Sequence, residues 1–560
     1  MFALRNESKF SRRFVRSTIF AFALALIGAI SSSAASAGVL YDLVTSAHSP
    51  KHHGPKQTHT IHTESGKLKG FFNGSTAEFL GIPYAAPPVG NARWTPPQPF
   101  GKWHGTFDAS AFGSECTQGG SNDSEDCLFL NVYVPHFNKN GHKHHNGGLP
   151  VMFWIHGGGL TSGAGSLYDP TPLLNPGNVI VVTINYRLGL LGFFAHSAID
   201  AEGHENGNYG LMDQQFAMTW VQNNIANFGG DPSNVTIFGE SAGGHSVYCQ
   251  LASPTAAGLF AHAIAESGSY VIFEQFIQGI IPIATAETSG DALVPSGADI
   301  ATSVGCPDQT ATCLRAVSNT NLVSAQPGTL YAFVDGTLLT QTPQDAFKAG
   351  TFNKVPIIAG TNHDEWRLFV AEQYDATGNP IATEQDYDNA VTLLWTDLLA
   401  PFVLNLYPYA NYPSGGVALG ASGTDGIFAC GARNADQLLV NSTTVYAYEF
   451  NDENAPPGQP AGLSFPLGAY HAAELQYLFD IPNLSSQLNA DQLQLSAAMV
   501  SYWTNFAATG DPNSAATPTW APYATGTDQF QSFIPPTPVV ESSGSFNTDH
   551  NCDTFWNLVP

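Results

Sequence analysis

The chain carries a series of short, almost uninterrupted apolar runs: LPVMFWI at 149–155, NVIVVTINY at 178–186, NVTIF at 234–238, VPIIAGTN at 355–362 and TTVYAYEF at 443–450. They are rich in β-branched and aromatic residues and bounded by turn residues, so each predicts a strand. Strands without polar alternation are covered on both faces. Between two of them lies YGLMDQQFAMTWVQNNIANFG, 209–229, whose apolar residues recur at helical spacing and whose pattern stops at Gly229-Gly230. Strands alternating with helices predict an α/β architecture, a large, mostly parallel mixed sheet flanked by helices on both faces. In such folds, sites form in the loops at the C-terminal ends of strands. No internal repeat or composition break interrupts the pattern from residue 63, which predicts a single domain over 63–560.

The N-terminus is a separate object. Arg5, Lys9, Arg12, Arg13 and Arg16 precede a short apolar run at 19–30, and Ala35-Ser36-Ala37 follows. That order predicts a signal peptide over 1–37, cleaved before Gly38, and a secreted product, extracellular or periplasmic. The run is too short to span a bilayer comfortably, so no stable membrane anchor is expected after cleavage. Ser11-Arg12-Arg13 matches a twin-arginine start only in part, because Phe14 follows too early, and the export route stays open. Residues 38–62 read as a His/Pro-rich linker, and HKHH at 142–145 as a polar loop. Neither histidine cluster has carboxylate or cysteine partners at metal-site spacing, so no metal is expected.

Composition narrows the function classes. An apolar share of 43% excludes a mostly disordered chain. A net charge of −26 makes nucleic acid an unexpected partner, because binding phosphates needs a basic face. Seven cysteines fit an exported protein with some disulfides and one thiol left over, and spacing alone does not fix the pairing.

The chemistry concentrates at NVTIFGESAGG, 234–244. A strand runs into Gly239-Glu240-Ser241-Ala242-Gly243, and small residues open a helix. A nucleophile elbow requires this context, because the tight turn must project the Ser241 hydroxyl. His156-Gly157-Gly158-Gly159 follows strand 149–155, and its glycines let backbone N–H groups approach a developing oxyanion. The loop lacks the Lys-Ser/Thr of a phosphate-binding P-loop. A serine hydroxyl needs a base, and the base needs an orienting acid, in the chain order Ser, acid, His for this fold. After 355–362 come His363, Asp364 and Glu365, so Asp364 and Glu365 are rival acids. After 443–450 comes GAYHAAEL with His471, whereas His245 and His262 lie too near the serine and His550 lies at the tail.

At this point a resemblance becomes plain. FLGIPYAAPPVGNARWTPPQP, SEDCLFLNVYVP, WIHGGGLTSG, GESAGG, GTNHDEW, GAYHAAEL and SYWTNFAATGDPN are similar, in order, to the blocks of the type-B carboxylesterase/lipase family, over about 65 to 556. That family is the cholinesterase-like branch of the α/β-hydrolases, and this chain resembles a secreted microbial member. The resemblance implies an α/β-hydrolase fold, and a serine carboxylesterase acting on small-molecule esters without a cofactor. It implies Ser241 as nucleophile, Glu365 rather than Asp364 as acid, His471 as base, and Gly158, Gly159 and Ala242 as the oxyanion hole. It implies disulfides Cys116–Cys127, Cys306–Cys313 and Cys430–Cys552, with Cys249 free, and structural ion pairs Arg93–Glu125 and Arg187–Asp213. Ser267 is implied in a supporting role near the triad.

Two departures matter. Only TQGGSNDSED separates Cys116 from Cys127, with no aromatic residue to hold a choline cation, so a choline ester is not the expected substrate. Trp366 stands after the acid motif where relatives commonly have glycine. Two further readings stay in view. One is lipase action on long-chain esters, with 393–409 as a greasy lid or simply a core helix. The other is a non-catalytic binding protein on the same scaffold. Oligomeric state is not legible here.

Overall fold

The computed structural model describes residues 57–135, 147–271, 280–288, 290–291, 294–327, 330–457, 462–481 and 488–559. The signal peptide expected over 1–37, most of the expected linker and the HKHH loop lie outside the described residues.

Among the described residues, the frame is one sheet of thirteen strands. In chain order these are β1 (Thr58–Thr63), β2 (Gly66–Asn73), β3 (Thr76–Pro83), β4 (Thr106–Asp108), β5 (Phe129–Val134), β6 (Leu149–Ile155), β7 (Ile180–Ile184), β8 (Gly230–Glu240), β9 (His262–Glu266), β10 (Ile357–Asn362), β11 (Val445–Phe450), β12 (Gln531–Phe533) and β13 (Val539–Val540). The spatial order is β1-β2-β3-β5-β7-β6-β8-β9-β10-β11-β12-β13, with β4 beside β2. From β7 to β12 every pairing is parallel, whereas β1-β2-β3-β5-β7 and the final β13 are antiparallel. The continuous apolar runs are the central parallel strands, and every residue of β7, β10 and β11 is buried.

The sheet begins earlier than the expected boundary at residue 63. Thr58–Thr63 pairs antiparallel with 66–71, so the last five residues assigned to the linker belong to a strand. It is an edge strand with Ile61 as its buried residue, so its polar sequence carries no apolar run.

Seven helices matter for the site: α1 (Tyr209–Asn224), α2 (Ala242–Ala252), α3 (Trp366–Val370), α4 (Glu384–Leu406), α5 (Gly415–Gly423), α6 (Cys430–Leu439) and α7 (Ala490–Thr509). A Cβ on Gly239 would stand 2.7 Å from the Gly243 carbonyl carbon, so α2 lies tight on the Gly239 face of β8. Glu240 faces the other way and is in register with Glu266, whose Oε1 accepts from Trp503 Nε1 of α7 at 3.0 Å. Helices α2 and α7 therefore cover opposite faces of the sheet.

The segment 393–409 is mostly the second half of α4. Trp395, Ala400 and Val403 are buried, while Leu398 and Phe402 are 46% and 61% exposed. The helix is long and apolar enough to cross a membrane by composition, yet one face packs on the protein and Thr396 breaks it at φ 66°.

Three disulfides, Cys116–Cys127, Cys306–Cys313 and Cys430–Cys552, join the pairs that the resemblance implied, and Cys249 is a buried thiol. Arg93 pairs with Glu125 at 2.6 Å and Arg187 with Asp213 at 2.7 Å.

Candidate active site

Ser241 occupies the turn between β8 and α2 at φ 56°, ψ −121°, a strained conformation for a residue with a side chain. The two flanking glycines explain how the turn closes. A Cβ on Gly239 would lie 2.6 Å from the Ile155 carbonyl oxygen, and one on Gly243 would collide with the same oxygen. The turn is pinned by Ser241 N donating to Glu266 O at 2.9 Å and His245 N to Ser241 O at 2.8 Å.

The glycine loop leaves β6 beside this turn. A Cβ on Gly157 would meet Ser241 Cβ at 3.1 Å, which places the two loops in contact. Gly158 and Gly159 have φ of 99° and 62°. The Gly158 carbonyl accepts from Thr161 N and Ser162 N at 3.0 Å each, which fixes the loop. No hydrogen bond among the described residues engages the N–H groups of Gly158, Gly159 and Ala242. His156 braces the loop from below. Its ring stacks on Tyr186 at 4.4 Å, Nδ1 lies 2.8 Å from Gly157 O, and burial lowers its pKa to about 4, so it is neutral.

At the ends of β10 and β11 the acid and the histidine meet. His471 Nδ1 lies 2.6 Å from Glu365 Oε2, and both side chains are buried. The other Glu365 oxygen accepts from Thr361 Oγ1 at 2.7 Å and Asn362 N at 2.8 Å. A carboxylate at Nδ1 requires the proton there and leaves the Nε2 lone pair free to accept. Phe369 and Phe428 flank the imidazole, with ring centroids 5.0 and 5.1 Å away. The rival acid is committed elsewhere: Asp364 takes Arg367 at 2.8 Å, His363 at 3.2 Å and the Ala469 amide at 2.9 Å.

The competing histidines do different things. His245 is buried with neither ring nitrogen bonded. His262 packs on Phe506. His550 lies between Asp425 at 2.7 Å and Glu449 at 2.6 Å, one carboxylate per ring nitrogen. Burial favours neutral imidazole, but Glu449 and Asp425 outweigh it and hold the His550 pKa well above its usual value. His363, Glu449 and His550 form the one cluster of metal-ligand dimensions among the described residues. Both His550 nitrogens are already used by carboxylates, so a charged, doubly paired histidine accounts for it.

Sequence reasoning missed the acidic surroundings. Glu240, Glu266 and Glu474 are all buried near Glu365. Burial, then the charges of Glu365 and Glu266, push Glu240 well above the ordinary carboxylate range, and burial lifts Glu266 to about 8. Glu240 Oε1 stands 3.2 Å from His471 Nε2 without hydrogen-bond geometry. Glu474 carries the Asn362 amide, and its own pKa is raised by burial and then by Glu240 and Glu365. Ser267 is buried at φ 50° with its hydroxyl unpartnered. Trp366, the bulky residue after Glu365, packs on Gly423 and Phe369, and its backbone N–H donates to Thr424 Oγ1 at 3.0 Å.

The model of the carboxylesterase family matches residues 57–545. The chain belongs to the carboxylesterase family. It is 33% identical over 534 residues to carboxylesterase 1D of Rattus norvegicus, covering 84% of this chain and 88% of that one. It is 35% identical over 491 residues to the medium-chain fatty acyl-CoA hydrolase precursor of Anas platyrhynchos, covering 80% and 82%. A solved pNB esterase superposes with a TM-score of 0.72 at 31% identity, covering 89% of this chain and 100% of that one. The chain is thus a carboxylic-ester hydrolase with an α/β-hydrolase fold, and its substrates are small-molecule esters.

Proposed function

We propose that this carboxylesterase works through an acyl-enzyme on Ser241, with His471 as base, Glu365 as its orienting acid, and Gly158, Gly159 and Ala242 as the oxyanion hole. The observation that carries the reading is the 2.6 Å contact between Glu365 and His471, whose Nε2 stands 3.2 Å from Glu240, the residue before Ser241. Nε2 takes the hydroxyl proton as Ser241 Oγ attacks the ester carbonyl, forming a C–O bond. The carbonyl electron pair moves onto oxygen, where three N–H groups receive it. Collapse expels the alkoxide, which takes the proton from Nε2 and leaves as alcohol. Water, deprotonated by the same nitrogen, then cleaves the acyl–Oγ bond and restores the serine.

Export fits the same account: three disulfides suit an oxidising compartment, and the N-terminal sequence has the order of a signal peptide. The exposed Leu398 and Phe402 favour a second reading, action on long acyl chains at an interface. Hydrolysis of a p-nitrophenyl ester series of increasing chain length, with Ser241→Ala alongside, tests both. A short-chain maximum absent from the variant supports a soluble carboxylesterase. A long-chain maximum supports a lipase, and hydrolysis retained by the variant removes the serine mechanism.

A further inference from the structure

Glu372 is a buried carboxylate that nothing in the fold explains. It is 6% exposed, and among the described residues no side chain or backbone group hydrogen-bonds to it, with Oε1 fully enclosed. Leaving an acid in that condition is costly, and native structures rarely do so without a use. Its position suggests the use. Helix α3 runs on into a wider π-type turn, Ala371–Asp375, so Glu372 lies within one turn of Phe369, and the charge of His471 reaches it. Phe369 is the ring that flanks His471 at 5.0 Å.

The charges around Glu372 are few. Among the described residues, His471 is the one ionisable group acting on it. Helix α5, packed against α3, contains no ionisable residue, and Asp425 in the following turn is engaged by His550. Arg367 in α3 belongs to Asp364. The acids Glu240, Glu266, Glu365 and Glu474 are not among the groups whose charge acts on Glu372. A ligand that draws Glu372 into its charged form therefore brings its own positive charge and its own N–H.

We propose that Glu372 is a specificity-determining residue, which binds a protonated amine on the substrate and directs this esterase toward esters of amino alcohols or amino acids. This rests on the esterase reading above and adds a substrate class to it. A quaternary ammonium offers no N–H to the carboxylate, which agrees with the lack of an aromatic residue between Cys116 and Cys127. Burial holds the Glu372 carboxyl at about 8, so the free acid keeps its proton at neutral pH and gives it up when an ammonium arrives. Preference for the ammonium substrate consequently rises with pH, as long as the amine stays protonated.

The test uses an isosteric pair, dimethylaminoethyl butyrate and isoamyl butyrate, and a second pair with the amine on the acyl chain. In at least one pair, wild type is expected to favour the ammonium ester by about tenfold in kcat/KM, as a charge-assisted hydrogen bond supplies. Glu372→Gln collapses that ratio toward one, and Glu372→Asp restores part of it. A ratio that is the same in wild type and Glu372→Gln overturns the proposal. Binding of dimethylaminoethanol against isoamyl alcohol, measured on Ser241→Ala protein by calorimetry, reads the same preference without turnover. Equal affinities there, with equal affinities for the corresponding acid pair, also overturn it. Failure of the serine mechanism shows separately, as isoamyl butyrate hydrolysis that survives in Ser241→Ala.

Discussion

Glu365 Oε2 accepts from His471 Nδ1 at 2.6 Å, while its other oxygen is occupied by Thr361 and Asn362. The carboxylate has no freedom to turn away, so the imidazole has one tautomer and one orientation. Glu365→Gln keeps the shape and can present an N–H where the histidine needs an acceptor. We expect kcat to fall by about 10³–10⁴ with little change in folding. Asp364→Asn, one residue earlier, is expected to cost less than about tenfold in kcat, because Asp364 serves Arg367 and Ala469. Steady-state kinetics of the two variants side by side decide the assignment; equal losses would contradict it.

The turn that presents Ser241 is limited by the Ile155 carbonyl. Gly243→Ala places a methyl group on that oxygen, which must push β6 or α2 aside. The expected cost is about 1–3 kcal/mol or more, with loss of activity from displacement of the glycine loop. Urea unfolding and ester hydrolysis measured together check it. A variant that keeps both would show that the packing here is looser than described.

His550 between Asp425 and Glu449 makes stability depend on pH at both ends. Its folded pKa lies above the unfolded value, so its contribution is complete below about 6.5 and is lost as pH rises through the folded pKa. Burial opposes the charge of Glu449, but His550 and His363 hold it at about 2, below its ordinary 4.5. Its contribution is present above about 4.5 and is lost as pH falls toward about 2. His550→Gln leaves two buried acids facing each other and should cost about 3–5 kcal/mol at neutral pH. Denaturant unfolding at neutral and at strongly alkaline pH should show that cost shrinking as the wild-type histidine loses its proton.

The disulfides should differ in value. Cys430–Cys552 spans 122 residues and Cys306–Cys313 spans 7. Loop-closure entropy predicts about 5 kcal/mol for the first and about half that for the second. Serine pairs at each bridge, compared by thermal and denaturant unfolding, check the ordering. A Cys306/Cys313 pair that costs more than the Cys430/Cys552 pair would contradict it.

Much of this was legible in the sequence where burial is complete. Residues 180–184 and 445–450 read as strands because both faces of the sheet are covered and every position is apolar or aromatic apart from single polar residues such as Thr183 and Glu449. Strand 58–63 was not legible, because an edge strand with one buried residue looks like any polar linker. The serine turn announced itself through its glycines, which answer to a local steric demand. The acids around it did not. Glu240, Glu266 and Glu474 come from three separate parts of the chain, and only the parallel register of β8 and β9 and the return of the chain after β11 bring them together. Glu372 reads as an ordinary helix residue until its burial is known.

The most direct test of the account is covalent. The protein is treated with a limiting fluorophosphonate, residual ester hydrolysis is followed, and the adduct is located by peptide mass spectrometry. The account predicts one adduct per molecule, on Ser241, with activity falling in proportion to labelling. Full labelling of Ser241 with activity retained, or activity lost through an adduct on another residue, would contradict it.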